Sequence, residues 1–343
     1  QFGDVVETDR HDTLFSELSI AADLGATTLL GGAAVQRDVY ASKAFPAFDY
    51  TFTTPALFVQ AEHDVTEDFT LAGSARLDDH SRYGLKFSPR VSALYRPGRW
   101  TFRSTLGRGF YAPTPFVEEI EATGLSRLDP LTGLKAETAE NASLEAGYRQ
   151  GPLEANLTLF GSHVHDAGRG VDAGPQRVRL EDAPGETRTE GAEALLRYRV
   201  GEVTVTGSYV FVQSSEPDPD RLGRRGIPLT PRHTAGLVAV WEREDVGRIG
   251  FEAYYTGRQA LDDNPYRTRS KPYVLLGLLA ERRFDRFSVF VTLENLLNVR
   301  QTRTDPLLLR SRANDGRWTV DAWGPTDGFV ANAGVKVRFG GES

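Results

Sequence analysis

Val330-Ala331-Asn332-Ala333-Gly334-Val335-Lys336-Val337-Arg338-Phe339 closes the chain and decides how the rest of it reads. Ala331, Ala333, Val335, Val337 and Phe339 fall on one side of an extended strand, and Asn332, Lys336 and Arg338 on the other. Successive side chains of a strand point to opposite faces, so one face of this segment is apolar and the other charged. The same period recurs upstream. Leu153, Ala155, Leu157 and Leu159 alternate with Glu154, Asn156 and Thr158, and Val203, Val205, Tyr209 and Phe211 with Glu202, Thr204, Thr206 and Ser208. Ile249, Phe251, Ala253 and Tyr255 alternate with Arg248, Gly250, Glu252 and Tyr254, and Phe287, Val289, Val291 and Leu293 with Arg286, Ser288, Thr292 and Glu294. Each segment is close to the roughly 9–11 residues that carry a tilted strand across a bilayer.

The breaks between strands alternate in length. Short ones fall near Leu24–Ala26, Asp64–Glu67, Pro97–Arg99, Gln150–Pro152, Val200–Glu202, Asp245–Gly247 and Phe284–Arg286. Long ones are expected at about Val39–Phe52, Asp79–Ser88, Tyr111–Glu137, Ala167–Gly185, Glu216–Pro231, Ala260–Lys271 and Arg300–Gly328, with a helical turn or two at Glu118–Leu125. Short turns at one end and long loops at the other are the asymmetry of outer-membrane barrels, whose long loops face outward. The expected fold is all-β, an antiparallel transmembrane β-barrel of which about fifteen strands are present. A soluble β-sandwich or propeller shares the alternation, but the apolar faces here are diluted by Gly, Ala and Tyr and lack the dense Val/Ile/Leu of a sandwich core.

Composition sets bounds. The chain has 343 residues, 40% hydrophobic, and a formal net charge of −7, with a mean hydropathy of −0.37. That average hides a barrel, which shows lipid only every second residue. No run approaches the roughly 18 apolar residues of a spanning helix. Cysteine is absent, excluding disulfides and thiolate chemistry, and the acidic balance argues against nucleic-acid binding. Methionine is also absent, and Gln1 opens no recognisable signal sequence, so the chain reads as part of a longer one.

Five segments carry a family resemblance. Gly107-Arg108-Gly109-Phe110-Tyr111-Ala112-Pro113-Thr114-Pro115 resembles the "G-F-R-A-P" segment with which TonB-dependent outer-membrane receptors open a large external loop. Leu134-Lys135-Ala136-Glu137-Thr138-Ala139-Glu140-Asn141, followed by Leu144-Glu145-Ala146-Gly147-Tyr148, is similar to their "L-K-P-E-x-x-x-N-x-E-x-G" segment, with Ala136 replacing the usual proline. Thr189-Glu190-Gly191-Ala192-Glu193-Ala194 resembles their "G-x-E" strand start, and Ile227-Pro228-Leu229-Thr230-Pro231-Arg232-His233 their "P-x-x-P-x-H" loop exit. Glu294-Asn295-Leu296-Leu297-Asn298-Val299-Arg300 is similar to their "E-N-L-F-N" segment. The resemblance implies a 22-stranded barrel of the Gram-negative outer membrane, of which residues 1–343 form the C-terminal part. It also implies an N-terminal plug and TonB box outside this chain, and import of a scarce nutrient such as a ferric siderophore with TonB-derived energy. A passive porin-like channel is the alternative, and a soluble β-rich binding domain a further one.

Nothing points to an enzyme or a bound cofactor. No Gly-x-Ser-x-Gly elbow, phosphate-binding loop or His-Glu-x-x-His occurs. Asn141 and Asn156 open chance Asn-x-Ser/Thr matches. His163-Val164-His165-Asp166 puts two imidazoles on one side of a strand, by parity outward, in a structural or interfacial role rather than a metal site. The candidate ligand site lies in external loops. Arg310, Arg312 and Arg317 with Trp318 and Trp323, flanked by Arg300 and Arg303, offer planar donors and stacking surface to an anionic aromatic chelate. Lipopolysaccharide phosphates compete for the same guanidiniums, and Asp305, Asp315, Asp321 and Asp327 are available to neutralise them. Tyr111, Glu118 and Glu119, with Glu121 nearby, add a loop rim. Inward parity places Glu145, Glu154, Glu193, Arg197, Arg199, Arg248, Glu252, Glu294, Lys336 and Arg338 on a polar lumen wall.

Overall fold

The computed structural model describes residues 8–116, 125–174, 177–219, 221–262, 264–312 and 318–339. Strands dominate them. In chain order they are β1 (Asp9–Leu24), β2 (Thr27–Ser42), β3 (Tyr50–Asp64), β4 (Phe69–His80), β5 (Gly84–Tyr95), β6 (Trp100–Tyr111) and β7 (Glu137–Gln150). There follow β8 (Leu153–His165), β9 (Gly168–Asp172), β10 (Val178–Asp182), β11 (Thr187–Val200), β12 (Val203–Pro217) and β13 (Arg224–Arg225). The last are β14 (His233–Arg243), β15 (Gly247–Thr256), β16 (Tyr273–Arg283), β17 (Phe287–Glu294), β18 (Leu308–Arg312), β19 (Trp318–Val320) and β20 (Val330–Val337).

Fifteen of them follow one another in a sheet whose order is β1-β2-β3-β4-β5-β6-β7-β8-β11-β12-β14-β15-β16-β17-β20, while β9–β10 and β18–β19 are separate hairpins and β13 adds to β12. The seven short breaks are where the sequence places them. Gly25, with φ +68, turns β1 into β2, and Gly151, with φ +55, turns β7 into β8; this left-handed region costs glycine nothing. Two long loops are shorter than expected. β4 and β5 pair out to His80↔Gly84, leaving Ser81–Tyr83 where a ten-residue loop is expected. β2 and β3 pair out to Tyr40↔Tyr50, so the loop there is only residues 43–49. The charges that suggest loop sit on paired strand ends beyond the lipid, where no hydrophobic face is needed. The Ala167–Gly185 region is no plain loop, since it contains the β9–β10 hairpin.

The chain divides into two compact units. In the first, Gln1–Leu144 with Phe160–Thr189 and Ser215–Arg225, register sorts the side chains of β1–β6 into two faces. Leu57, Leu77, Phe87, Val91 and Leu106 share one face and are exposed, Leu57 and Leu106 at 63%. Glu62, Arg76 and Arg90 share the other. A monomer in water does not present such a belt of exposed aliphatics. The first charges on the apolar face, Arg37 on β2, Asp79 on β4 and Arg108 on β6, mark where each strand leaves the bilayer, because a charge facing lipid at midplane costs about 2–4 kcal/mol. The buried hydrophobic core sits outside that boundary: Tyr40, Phe48, Leu125, Leu128, Leu134 and Leu180 pack among the loops.

In the second unit, Glu145–Leu159 with Glu190–Ser214 and Gly226–Ser343, β17 and β20 pair Val289↔Val335 and Val291↔Ala333 on the apolar face and Ser288↔Lys336 and Thr292↔Asn332 on the polar one. Arg248 and Glu281 are opposite each other on that polar face and form an ion pair at 2.8 Å. Among the described residues no helix is long and apolar enough to cross a membrane.

Candidate functional site

In the first unit, a row of aromatic and acidic side chains crosses the polar face at the loop ends of β1–β5. The register sets His11 opposite Tyr40, Tyr40 opposite Tyr50, Thr13 opposite Asp38 and Asp38 opposite Phe52, and directly opposed side chains touch. The rings run on continuously: Tyr40 stacks on Tyr50 at 5.8 Å, Tyr50 on Phe52 at 4.4 Å, and Phe52 meets His80 at 5.0 Å and His80 meets Tyr83 at 5.1 Å. Phe116 closes one end, stacked on His11 at 5.9 Å and edge-on to Tyr40 at 4.7 Å.

Asp38 is the polar centre of this row. Its Oδ1 lies 2.7 Å from His11 Nε2 and accepts from Thr13 Oγ1 at 3.1 Å, while its Oδ2 accepts from the Tyr50 hydroxyl at 3.2 Å. Burial, then the Asp38 carboxylate, raises the Tyr50 phenol above the ordinary tyrosine range. The Tyr111 phenol is near enough to add to that rise. At the neighbouring turn, His80 Nδ1 accepts from the backbone N–H groups of Arg82 and Tyr83. Burial, then Arg82 and Lys86, lowers the His80 pKa, which keeps that nitrogen an acceptor. Tyr83 donates to the Pro113 carbonyl at 2.8 Å and Arg82 to that of Leu131 at 2.9 Å, so the turn holds two longer loops.

In the second unit a polar node organises the loops around β18 and β19. Arg267 donates to Asp305 through Nε at 2.5 Å and Nη2 at 2.7 Å, and its guanidinium lies 5.8 Å over the Trp323 ring. The Trp323 indole N–H also donates to Asp305, at 3.2 Å. Gln301 Oε1 accepts from the backbone of Trp323 at 2.7 Å and Gly324 at 3.0 Å, and its Nε2 donates to the Asp321 carbonyl at 2.6 Å. Gln259 donates to the Trp323 carbonyl at 3.0 Å. Gly324 of this node also lines a cleft of about 570 Å³, together with Glu252, Tyr254, Glu294, Asn295 and Asp327 among others. Gly277 is also in its lining, and a Cβ there would stand 2.5 Å from Glu252 Oε1, so that side chain lies directly over the glycine.

The predicted ligand residues fare differently. Tyr111 ends β6 on the polar face, beside the aromatic row. Arg310 and Arg312 are placed by backbone in β18, and Trp318 opens β19. Glu118, Glu119 and Arg317 lie outside the described residues, as does most of the helical turn expected at 118–125. Trp323 departs from its expected role: at 6% exposure, with its N–H donated to Asp305 and Arg267 over its ring, it is part of the loop scaffold and not a free stacking surface. Asp305 neutralises Arg267 and not one of the loop arginines singled out by sequence. His163 and His165 converge on one carboxylate, Glu186, at 3.4 and 3.8 Å. The Arg188 guanidinium, more than the imidazoles, holds that carboxylate below its ordinary range. Among the described residues no group of three His, Cys, Asp or Glu side chains is placed to hold a metal. His11, Asp38 and Tyr50 are the residues sequence reasoning missed; alternation along β2 puts Asp38 and Tyr40 on one face, but the hairpin registers are needed to bring His11 and Tyr50 beside them.

This architecture matches known proteins. The family described as TonB dependent receptor-like, beta-barrel, matches residues 2–296, and the chain belongs to it. Its fold is accordingly the antiparallel transmembrane β-barrel of receptors in the Gram-negative outer membrane, a family of transporters rather than enzymes.

Among individual relatives, the iron-regulated outer membrane virulence protein of Vibrio cholerae serotype O1 is 30% identical over 225 residues, which are 59% of this chain and 33% of that protein. A variant of the ferric enterobactin receptor of Pseudomonas aeruginosa superposes with a TM-score of 0.74 at 18% identity, covering 97% of this chain and 54% of that one. The siderophore receptor PirA of Acinetobacter baumannii gives 0.74 at 16% identity, with 96% and 55% covered. The FrpB iron transporter of Neisseria meningitidis gives 0.71 at 17%, with 95% and 55% covered. The chain thus spans about a third of its curated relative and about half of each solved receptor.

Proposed function

We propose that this chain is the ligand-capturing barrel part of a receptor that imports a ferric siderophore, or a chelate of similar bulk, with energy delivered by TonB. The observation that carries the reading is the family match across residues 2–296, joined by a relative whose name records regulation by iron. The aromatic row on the polar face gives the reading a surface: an anionic chelate built on aromatic oxygens stacks on Phe116, the exposed ring that ends the row, while buried Tyr40 supports it from behind. Arg310, Arg312, Arg317 and Trp318 are the candidate ligand contacts of the last loop, which buried Trp323 anchors, and Tyr111, Glu118 and Glu119 are the candidate contacts of the loop that follows β6. Other basic loop residues meet lipopolysaccharide phosphates.

The test is growth. The full-length receptor is supplied to a strain that makes no siderophore and lacks its own receptors, with a ferric catecholate as sole iron source. Growth that requires both the receptor and TonB supports import. Growth that persists without TonB replaces this reading with a passive channel. In the same strain the double change Arg317→Ala and Trp318→Ala lowers chelate affinity at least tenfold; an unchanged affinity removes both residues from the site.

A further inference from the structure

The donors gathered around Asp38 have the chemistry and spacing of a metal site, and we propose that His11, Asp38 and Tyr50 bind a ferric ion directly on the polar face of β1–β3. The proposal goes beyond capture of an intact chelate, since it gives the protein its own bonds to the metal.

Three observations carry it. The first is spacing. His11 Nε2 lies 2.7 Å from Asp38 Oδ1 and 3.4 Å from the Tyr50 hydroxyl, which lies 3.2 Å from Asp38 Oδ2. Adjacent ligands of an octahedral ion bound at 2.0–2.1 Å are separated by about 2.9 Å. Asp38 turns Oδ1 to His11 and Oδ2 to Tyr50, so the imidazole nitrogen, the phenol oxygen and the carboxylate, through either oxygen, surround one side of such an ion. Closing the 3.4 Å His11–Tyr50 separation brings them to ligand spacing and leaves the far side open for donors of an incoming chelate. The second is donor type. A phenolate and a carboxylate are hard, anionic oxygen ligands, and a single imidazole completes a set suited to a small, highly charged cation over soft-ligand metals. The third is support. All three ligands stand on paired strands, with His11 backed by Phe116 and Tyr40, Tyr50 by Phe52, and Asp38 oriented by Thr13 Oγ1. A site on regular elements keeps its geometry better than one on a loop, and hydrogen bonds to a ligating carboxylate fix its orientation.

Binding is an exchange without redox change. The Tyr50 O–H bond breaks and its oxygen bonds to iron, the proton passing to solvent. The Nε2 proton that His11 shares with Asp38 moves through solvent to Nδ1, which frees Nε2 to bind. Oxygen ligands of the incoming iron complex leave as these bonds form, and iron remains ferric.

The experiment uses the purified full-length receptor in detergent, freed of iron and titrated with ferric nitrilotriacetate. Tyrosinate-to-iron charge transfer gives a visible absorption band that neither a hydrogen-bonded triad nor loosely held iron produces. The wild type is expected to develop the band, Tyr50→Phe to lose it, and Asp38→Asn and His11→Gln to raise the iron concentration required at least tenfold. Circular dichroism and heat-modifiable gel mobility confirm that each variant is folded. A wild type without the band, or a band undiminished in folded Tyr50→Phe, overturns the proposal. Binding of an intact ferric catecholate, followed by tryptophan quenching on the same samples, separates the two readings. Quenching without the band leaves chelate capture standing and removes the metal site. The band without quenching supports the metal site and removes chelate capture.

Discussion

The two units order their external loops by opposite means. In the first, Leu125, Leu128, Leu134 and Leu180 meet Tyr40 and Phe48 in an apolar cluster, with Leu128 and Leu180 each 2% exposed. In the second, the loops close around Asp305, Gln301, Gln259 and Arg267, and the large apolar group buried with them, Trp323, is held by hydrogen bonds at its indole and backbone. Apolar burial is non-directional and tolerates small shifts. A buried ion pair with shared hydrogen bonds tolerates few, because each member lost leaves another unpaired in a low dielectric. The first device suits loops that only need bulk excluded from water. The second suits a loop whose backbone path must be held to a register.

That comparison is open to direct attack. The largest effect belongs to Asp305→Ala, which strands Arg267 and the Trp323 indole together; a cost of about 3–5 kcal/mol is expected for breaking such a pair. Hydrogen exchange would show protection lost across residues 257–272 and 300–328 while β14–β17 stay protected. Next comes Leu128→Ala, at about 2–4 kcal/mol for a fully buried leucine, with faster exchange in residues 125–136 and 177–182. If the leucine change opened its loops more than the aspartate change opened its own, the contrast between the two devices would be wrong.

Acidification gives a smaller effect confined to the first unit. The His80 pKa is lowered on folding, so its contribution is present above the ordinary histidine value and is lost as pH falls through that value toward the lowered one. Protonating Nδ1 also removes the acceptor for Arg82 and Tyr83. Amide exchange at Arg82 and Tyr83, corrected for intrinsic rates, should therefore quicken from pH 7 to pH 5, and His80→Gln should flatten that dependence. The smallest effect is a null. Lys135 and Asp166 pair at 2.8 Å with the lysine two-thirds exposed, and its pKa is raised first by that hydrogen bond. Exposed pairs contribute little, so Lys135→Met should leave loop exchange unchanged at pH 7; measurable opening would show that charge also supports the apolar device.

Much of this was legible in residues alone. Leu153–Leu159 or Phe287–Leu293 needs only a period of two to assign a strand and its two faces, and Gly25 or Gly151 marks a turn through backbone freedom. The strand ends were less legible. Asp78, Asp79 and His80 resemble loop by composition, yet they pair with Lys86, Leu85 and Gly84, because a strand beyond the bilayer keeps its ladder after losing its apolar face. Trp323 was legible as an aromatic among arginines, a pattern that fits a ligand site and a packed anchor equally. Burial and the partner of the indole N–H separate the two, and neither is a property of sequence.

The sequence by itself determined the all-β class, the two faces, the short turns and the family, because alternation, glycine placement and motif order are local. The tertiary structure alone decided which distant residues meet. His11, Asp38 and Tyr50 come together because two hairpin registers place 27 and 39 positions of chain within one hydrogen-bonded row. Gln259, Gln301 and Trp323 meet because the β15–β16 and β17–β20 connections share one polar centre. Contacts of that range depend on the closure of loops whose composition records charge and length but not the partner each side chain finds.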